Sequence, residues 1–205
     1  MATKPATLID VLGMGGWALD PASGQLKITR RIHDLGVTVV PPFDPKYAVD
    51  VPPAVHKVPR TEVLLYCGDS CGANLFAWVL AEVPDRIFDY AALIQASLYC
   101  NKNCPPIGAN VKEVDVYYAP FITWPLPGLG NYKPQPVNTL DKNGVAQTLR
   151  YPGSYWVNNG KTKINYISVQ THVHPGDDNV GVQACIVGKV QELIGVPVTA
   201  KRKLN

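Results

Sequence analysis

Apolar residues in the first half of the chain occur in short runs separated by glycine and proline. The runs at 7–12 and 62–67 are too short for helices and predict buried strands. Residues 26–35 carry apolar side chains at helical spacing and stop at Gly36, which predicts a helix. The β-branched run 37–40 that follows predicts a strand. The chain therefore begins as a strand, a helix and a second strand.

The same alternation continues toward the C-terminus. Helices are predicted at 73–83 and from about Asn179 to Gly195, and strands at 88–96, 111–118 and 163–170. Repeated alternation of this kind predicts the α/β class, with a mainly parallel sheet and helices on both faces. The six prolines between Pro41 and Pro59 predict an irregular surface segment with little helix.

The length of 205 residues favours one domain over 1–205, with an insertion rich in proline and aromatic residues at about 119–160. The net charge of +3 is spread along the chain, so no nucleic-acid partner is predicted. No apolar run is long enough to span a bilayer. The N-terminus lacks the pattern of a signal peptide, which predicts a cytoplasmic protein, or one released by lysis if a phage encodes it.

The chain has five cysteines, an odd number that predicts reduced thiols rather than a disulfide framework. Cys67 lies on a predicted buried strand, and the four-residue spacings do not fit zinc knuckles, so no metal site is predicted. No cofactor is predicted either. A disulfide between Cys100 and Cys104 remains an alternative, because the residues between them can form a loop.

One serine lies where a buried strand is predicted to turn into a helix. Ser70 is the centre of Gly68-Asp69-Ser70-Cys71-Gly72, and its flanking glycines allow a tight turn. The start of the helix directs its N–H groups and its dipole toward the same point, which favours developing negative charge. In this context the motif resembles the nucleophile elbow of the α/β-hydrolase superfamily, which includes small serine esterases, lipases and cutinase-like enzymes.

The resemblance implies an oxyanion hole. A glycine-rich segment, Gly13-Met14-Gly15-Gly16-Trp17, follows the first predicted strand, where the family places an oxyanion loop. By the resemblance, a backbone N–H of Met14 or of its neighbours Gly13 and Gly15, together with that of Cys71, holds the oxyanion. The alternatives are an ordinary turn or a phosphate loop, but neither the Walker pattern nor a dinucleotide-binding glycine pattern is present.

The resemblance also implies a general base and an acid. His174 is the preferred base and His172 the alternative, since both follow the last predicted strand. No carboxylate follows the penultimate strand, where the family carries its acid. Asp177 and Asp115 are the candidates that remain.

These residues predict a serine hydrolase that cleaves a carboxylic ester of a small molecule or a lipid through an acyl-enzyme on Ser70. Trp17, Phe121 and Trp124 are the predicted substrate-binding residues, the last two in an aromatic segment at 119–136 that is predicted to form a wall or a lid. The other interpretation of this segment is a long connection whose aromatic side chains pack on the body of the domain. The alternative is a non-catalytic hydrolase-fold protein used for binding or assembly, with an incomplete triad. An SGNH-type hydrolase is disfavoured, because its serine block normally follows the first strand. The oligomeric state is not predicted.

Overall fold

The computed structural model describes residues 3–13, 23–94, 107–118, 149–151, 154–156, 161–168 and 179–197. The strands are β1 (Ala6–Val11), β2 (Thr38–Phe43), β3 (Val63–Asp69), β4 (Phe88–Ile94), β5 (Val111–Tyr118), β6 (Leu149–Tyr151), β7 (Ser154–Trp156) and β8 (Lys163–Ser168). The helices are α1 (Gly24–His33), a 3₁₀ helix (Pro45–Asp50), α2 (Val51–Lys57), α3 (Cys71–Glu82) and α4 (Val180–Ile194).

Six of the strands form one sheet in the order β2-β1-β3-β4-β5-β8, and every neighbouring pair is parallel. The predicted α/β class with a mainly parallel sheet is confirmed. The chain moves outward from β1 to β2 and then returns to the other side of β1 to form β3. The sheet therefore has a topological switch point between β1 and β3, the place where open α/β sheets form a crevice at their carboxyl edge.

Two apolar clusters cover opposite faces of this sheet. On one face, α2 and α3 pack on side chains such as Ile9, Tyr66 and Leu93. On the other face, α1 and α4 pack on side chains such as Leu8, Ala92 and Tyr117. Since successive strand residues point to opposite faces, burial on both faces explains why the strands are nearly continuous apolar runs.

The length of helix α4 is set by a capping residue at each end. The Asn179 side chain accepts hydrogen bonds from the N–H groups of Gly181 (2.8 Å) and Val182 (3.2 Å) at the start of the helix. Gly195 ends the helix in the left-handed conformation (φ 81°), which glycine adopts without steric cost. The predicted range from about Asn179 to Gly195 therefore matches the observed helix and its two caps.

The proline-rich segment differs from its prediction. The structure has β2 running to Phe43, followed by the 3₁₀ helix and by α2, so the prediction of little helix between Pro41 and Pro59 was wrong. Pro41 and Pro42 lie in β2, and Pro45, Pro52 and Pro53 lie in the first turns of these helices, where a proline's missing N–H removes no intrahelical hydrogen bond. Proline at such positions starts a helix instead of preventing one.

Two further features complete the described fold. Strands β6 and β7 pair as a short antiparallel hairpin inside the segment predicted as an insertion. Among the helices that the structure describes, none has both the length and the apolar character needed to cross a membrane.

A cluster of buried polar side chains joins β1 to α1. The side-chain amide of Gln25 donates to Asp10 Oδ1 (2.6 Å), and the hydroxyl of Thr29 donates to Asp10 Oδ2 (2.6 Å). All three side chains are buried. Loss of hydration through burial raises the pKa of Asp10 to about 6, although both hydrogen bonds act to lower it.

This pKa has a consequence for stability. Between about pH 4 and pH 6 the native protein holds a proton at Asp10 that the unfolded chain has released, so the stability that this site contributes falls as the pH rises through the native pKa. We expect Asp10→Asn to remove that loss, because the asparagine carries no charge, can accept from Gln25 and can donate to Thr29. Above pH 7 the variant is then more stable than the wild type by about 3 kcal/mol, and the difference vanishes near pH 4. Urea unfolding across pH 4–8 measures both curves, and a difference that does not depend on pH would contradict the assignment.

Candidate functional site at the carboxyl edge of the sheet

Ser70 and Gly13 lie at the carboxyl edge of the sheet, beside the switch point between β1 and β3. Val11 pairs with Gly68, so the residues that follow them leave the sheet side by side. Ser70 follows the last residue of β3, and Gly13 follows β1 by two residues. Because parallel strands open their crevice at this edge, the predicted nucleophile and the start of the predicted oxyanion loop meet where a ligand is expected.

The backbone of Ser70 is in a conformation that non-glycine residues rarely adopt. Its φ of 49° and ψ of −108° make it the one non-glycine residue with positive φ in the described part of the chain. Such conformations carry strain of about 1–3 kcal/mol and persist only when the surroundings enforce them. The side chain is half-buried and makes no capping hydrogen bond to α3, so the turn holds the hydroxyl at the edge without using it as a helix cap.

The surroundings that enforce this turn are two glycines in very close contact with backbone. A β-carbon on Gly68 would lie 2.7 Å from the Ala73 nitrogen, inside the first turn of α3. A β-carbon on Gly72 would overlap the carbonyl oxygen of Val11 at the end of β1. Any side chain at either position would push α3 away from the strands. The predicted tight turn is therefore present, and its glycines are required by packing.

Three hydrogen bonds fix the turn further. The N–H of Ser70 donates to the carbonyl of Ile94 at the end of β4 (2.8 Å), and the N–H of Asn74 donates to the carbonyl of Ser70 (3.2 Å). The hydroxyl of Tyr66 donates to the carbonyl of Gly72 (2.6 Å). The ring of Tyr66 packs on that of Phe76 with centroids 4.4 Å apart, so the tyrosine is itself held against α3.

The start of α3 makes the environment of Ser70 electropositive. The first N–H groups of a helix have no acceptor within the helix, and their dipoles add to a partial positive charge at its N-terminus. Cys71 and Gly72 occupy the first two positions of α3, directly after Ser70. A carbonyl oxygen that gains negative charge beside Ser70 is stabilised by these groups.

Cys71 is disulfide-bonded, whereas Cys67 and Cys185 take part in no disulfide. The prediction of reduced thiols was therefore wrong for Cys71. The partner lies outside the described residues, which leave out both Cys100 and Cys104. The bond ties the residue that follows Ser70 to another part of the chain and so restrains the start of α3.

Gly13 completes the described part of the site. A β-carbon on Gly13 would lie 2.8 Å from Asp69 Oδ2 and 3.3 Å from the β-carbon of Ser70. The backbone at the start of the predicted oxyanion loop is therefore packed directly against the turn. The absence of a side chain at residue 13 is what permits this approach.

The other predicted residues of the site fall outside the described part of the chain, so their predicted roles stay predictions. They are Met14, Gly15 and Trp17 of the glycine-rich segment, Phe121 and Trp124 of the insertion, and His172, His174 and Asp177 of the segment before α4.

Asp115, the remaining acid candidate, lies inside β5. Ile94 of β4 pairs with Asp69 of β3 on one side and with Tyr117 of β5 on the other, so Tyr117 and Asp69 lie at the same level of the sheet. Asp115 lies two residues before Tyr117. Its carboxylate accepts hydrogen bonds from Tyr90 (2.9 Å), Tyr117 (3.3 Å) and Asn165 (2.6 Å). Burial raises the pKa of both tyrosines above its usual value, so both remain donors. These contacts account for Asp115 as the group that joins β4, β5 and β8.

Two residues that support the site were not found from the sequence. Tyr66 reads as one more apolar residue of a buried strand, and nothing in the pattern links it to Gly72. Asp10 has a signal in the sequence, since a carboxylate in the middle of a buried apolar run needs hydrogen-bond partners. Within the described residues, no group of three or more His, Cys, Asp or Glu side chains is arranged to hold a metal ion.

The close approach of Gly72 to β1 predicts a large effect of a small substitution. We expect Gly72→Ala to destabilise the protein by at least about 3 kcal/mol, because the new methyl group displaces backbone that cannot move freely. The matched control is Gly188→Ala in α4, where no atom lies within 4 Å of the added methyl group. That control is expected to gain up to about 1 kcal/mol from helix propensity. Chemical denaturation measures both, and equal stabilities of the two variants would contradict the packing described here.

The strain at Ser70 predicts that glycine stabilises the protein at this position relative to alanine. Ser70→Ala keeps a β-carbon on the strained backbone, whereas Ser70→Gly removes it. We expect Ser70→Gly to be more stable than Ser70→Ala by about 1 kcal/mol, since glycine adopts positive φ freely. Thermal unfolding of the two variants tests this, and a less stable glycine variant would show that the turn is not strained.

Comparison with known proteins assigns the chain to no family. No protein-family model matches the chain, and no curated protein or solved structure matches it significantly. Any function for the chain therefore rests on its own residues, above all on the turn at Ser70.

Proposed function

We propose that the protein is a serine hydrolase that cleaves a carboxylic ester through an acyl-enzyme on Ser70. The observation that carries the proposal is the positive φ of Ser70 in a turn between a buried parallel strand and a helix. Strained backbone at a half-buried polar residue beside a crevice is typical of functional sites, and this particular turn is how α/β-hydrolases present a nucleophile. The strand order and the switch point beside Ser70 support the same proposal.

The proposed reaction has two halves. The Ser70 hydroxyl attacks the acyl carbonyl while a histidine takes its proton, and the carbonyl oxygen becomes an oxyanion. The N–H at the start of α3 and one from the segment after Gly13 stabilise that oxyanion. When the intermediate collapses, the histidine returns the proton to the departing alcohol. A water molecule, activated by the same histidine, then releases the acid and restores Ser70.

We propose His174 as the base, with His172 as the alternative and Asp177 as the acid beside them. The separation between β3 and β8 is three strand spacings, about 14 Å. His174 lies six residues beyond Ser168, the last residue of β8, and six extended residues span about 20 Å. The chain length therefore allows this histidine to reach Ser70.

The disulfide at Cys71 changes the proposed environment. Disulfides form and persist in oxidising compartments and are rare in a reducing cytosol. We therefore propose that the protein acts in an oxidising environment, outside the cytoplasm that the sequence predicted. The substrate remains an ester of a small molecule or a lipid, and Phe121, Trp124 and Trp17 remain the proposed apolar wall for its acyl group.

A fluorophosphonate probe tests whether Ser70 is activated. We expect the wild-type protein to be labelled, and peptide mass spectrometry to locate the adduct on Ser70. Ser70→Ala abolishes labelling, and His174→Ala slows it by at least about 100-fold because the general base is lost. His172→Ala is measured beside it, and a larger loss in that variant would assign the base to His172.

The matched serine control is Ser23→Ala, which removes the capping serine of α1 and leaves Ser70 unchanged. We expect it to label at the wild-type rate. Absence of labelling in a wild-type protein that unfolds cooperatively would reject the hydrolase proposal. It would favour the alternative, a binding or assembly protein on the same scaffold.

A further inference from the structure

We propose that Asp10 and Gln25 are positioning residues for the site at Ser70, because their buried hydrogen bonds fix the end of β1 against which α3 turns. This inference deepens the proposed hydrolase function and rests on it for its catalytic consequence. The structural half, a fixed end of β1, stands on the contacts alone.

The side-chain amide of Gln25 holds two acceptors at once. It donates to Asp10 Oδ1 (2.6 Å) and to the carbonyl oxygen of Val11 (3.0 Å), and both bonds are buried. Gln25 is the second residue of α1, and Val11 is the last residue of β1. These bonds therefore join the end of β1 to the start of α1. The segment between these two elements contains the proposed oxyanion loop.

The same carbonyl of Val11 is the group against which Gly72 packs. The first turn of α3 approaches Val11 and Leu12 so closely that only glycine fits at position 72. Gln25 holds the Val11 carbonyl by a hydrogen bond, and α3 contacts it through Gly72. A shift of this peptide group therefore displaces the start of α3, and with it both Ser70 and the N–H groups of the proposed oxyanion hole.

Leu12 and Gly13 extend this connection toward the site. The N–H of Leu12 donates to the carbonyl of Phe43 in β2 (2.9 Å), and Gly13 packs against Asp69 and Ser70. The segment after β1 is thus held by Gln25, by β2 and by the turn itself. The hydrogen bond of Leu12 is made by backbone groups, whereas the one from Gln25 to Val11 is made by a side chain and can be removed without changing any backbone.

Apolar side chains would fill this space without the cost of burying a carboxylate. A buried carboxylate held by neutral donors is an expensive way to pack a core, whereas hydrogen bonds with fixed directions determine where a backbone group lies. Positioning therefore explains the choice of Asp10 and Gln25 better than packing does.

The test compares Gln25→Leu with Thr7→Val. Gln25→Leu keeps the volume and removes both hydrogen bonds. Thr7→Val removes a half-buried hydrogen bond of the same strand, from the buried Thr7 to Glu62 (2.6 Å), at the end of β1 remote from Ser70. Both variants lose stability. We expect the maximal rate of Ser70 labelling by the fluorophosphonate to fall about 10- to 100-fold in Gln25→Leu, with the concentration for half-maximal rate little changed. In Thr7→Val both parameters stay near those of the wild type.

Rescue by a conservative variant separates positioning from a general loss of stability. Asp10→Asn retains an acceptor for Gln25 and is expected to label at close to the wild-type rate, whereas Asp10→Ala behaves like Gln25→Leu. Equal labelling rates in Gln25→Leu and Thr7→Val would overturn the inference.

Hydrogen exchange provides a readout that does not depend on hydrolysis. The amides of Leu12, of Gly13 and of the first turn of α3 are expected to exchange faster in Gln25→Leu than in Thr7→Val. If wild-type Ser70 is never labelled but this difference is present, the hydrolase proposal fails and the positioning of β1 stands. If labelling occurs and the exchange rates agree, the positioning inference fails alone.

Discussion

The contact between the first turn of α3 and the end of β1 is the constraint on which the rest of the site depends. Gly72 brings α3 so close to the Val11 carbonyl that no side chain fits between them. Because β3 must turn into α3 within this space, Ser70 adopts positive φ and its hydroxyl is left at the carboxyl edge of the sheet. The strain is small beside the packing that enforces it, so the turn persists in the folded protein.

Several elements converge on this contact from different directions. Tyr66 holds the Gly72 carbonyl from β3, Gln25 holds the Val11 carbonyl from α1, and the disulfide restrains Cys71. Ile94 anchors the N–H of Ser70 from β4. Four separate parts of the chain thus fix a single peptide turn. Such redundancy is typical of a preorganised site, in which catalytic groups are held in place before the substrate arrives.

Two carboxylates show how the surroundings decide the role of an acidic residue. Asp10 lies in the sheet with neutral donors around it, and burial raises its pKa to about 6. Asp115 lies two strands farther from the switch point than β3, among two tyrosine hydroxyl groups and an asparagine amide, and joins three strands. Both occupy buried strand positions, and the donors around each carboxylate come from the sheet or from α1. An acid of the proposed kind has to accept from the histidine, so Asp177, close to the histidines in the sequence, remains the proposed acid.

The sequence alone determined the α/β class, most strand and helix positions and the turn at Ser70, because these follow from local patterns. Buried parallel strands need continuous apolar runs, a helix end needs Asn179 or Gly195, and a tight turn needs Gly68 and Gly72. It predicted the wrong structure for the proline-rich segment, since the position of a proline within a helix decides its effect. The tertiary structure alone decided which helices cover each face of the strands and which residue pairs meet across the sheet. Tyr66 and Gly72, Gln25 and Val11, and Gly13 and Asp69 approach one another only after the strands have assembled, and no local pattern encodes such contacts.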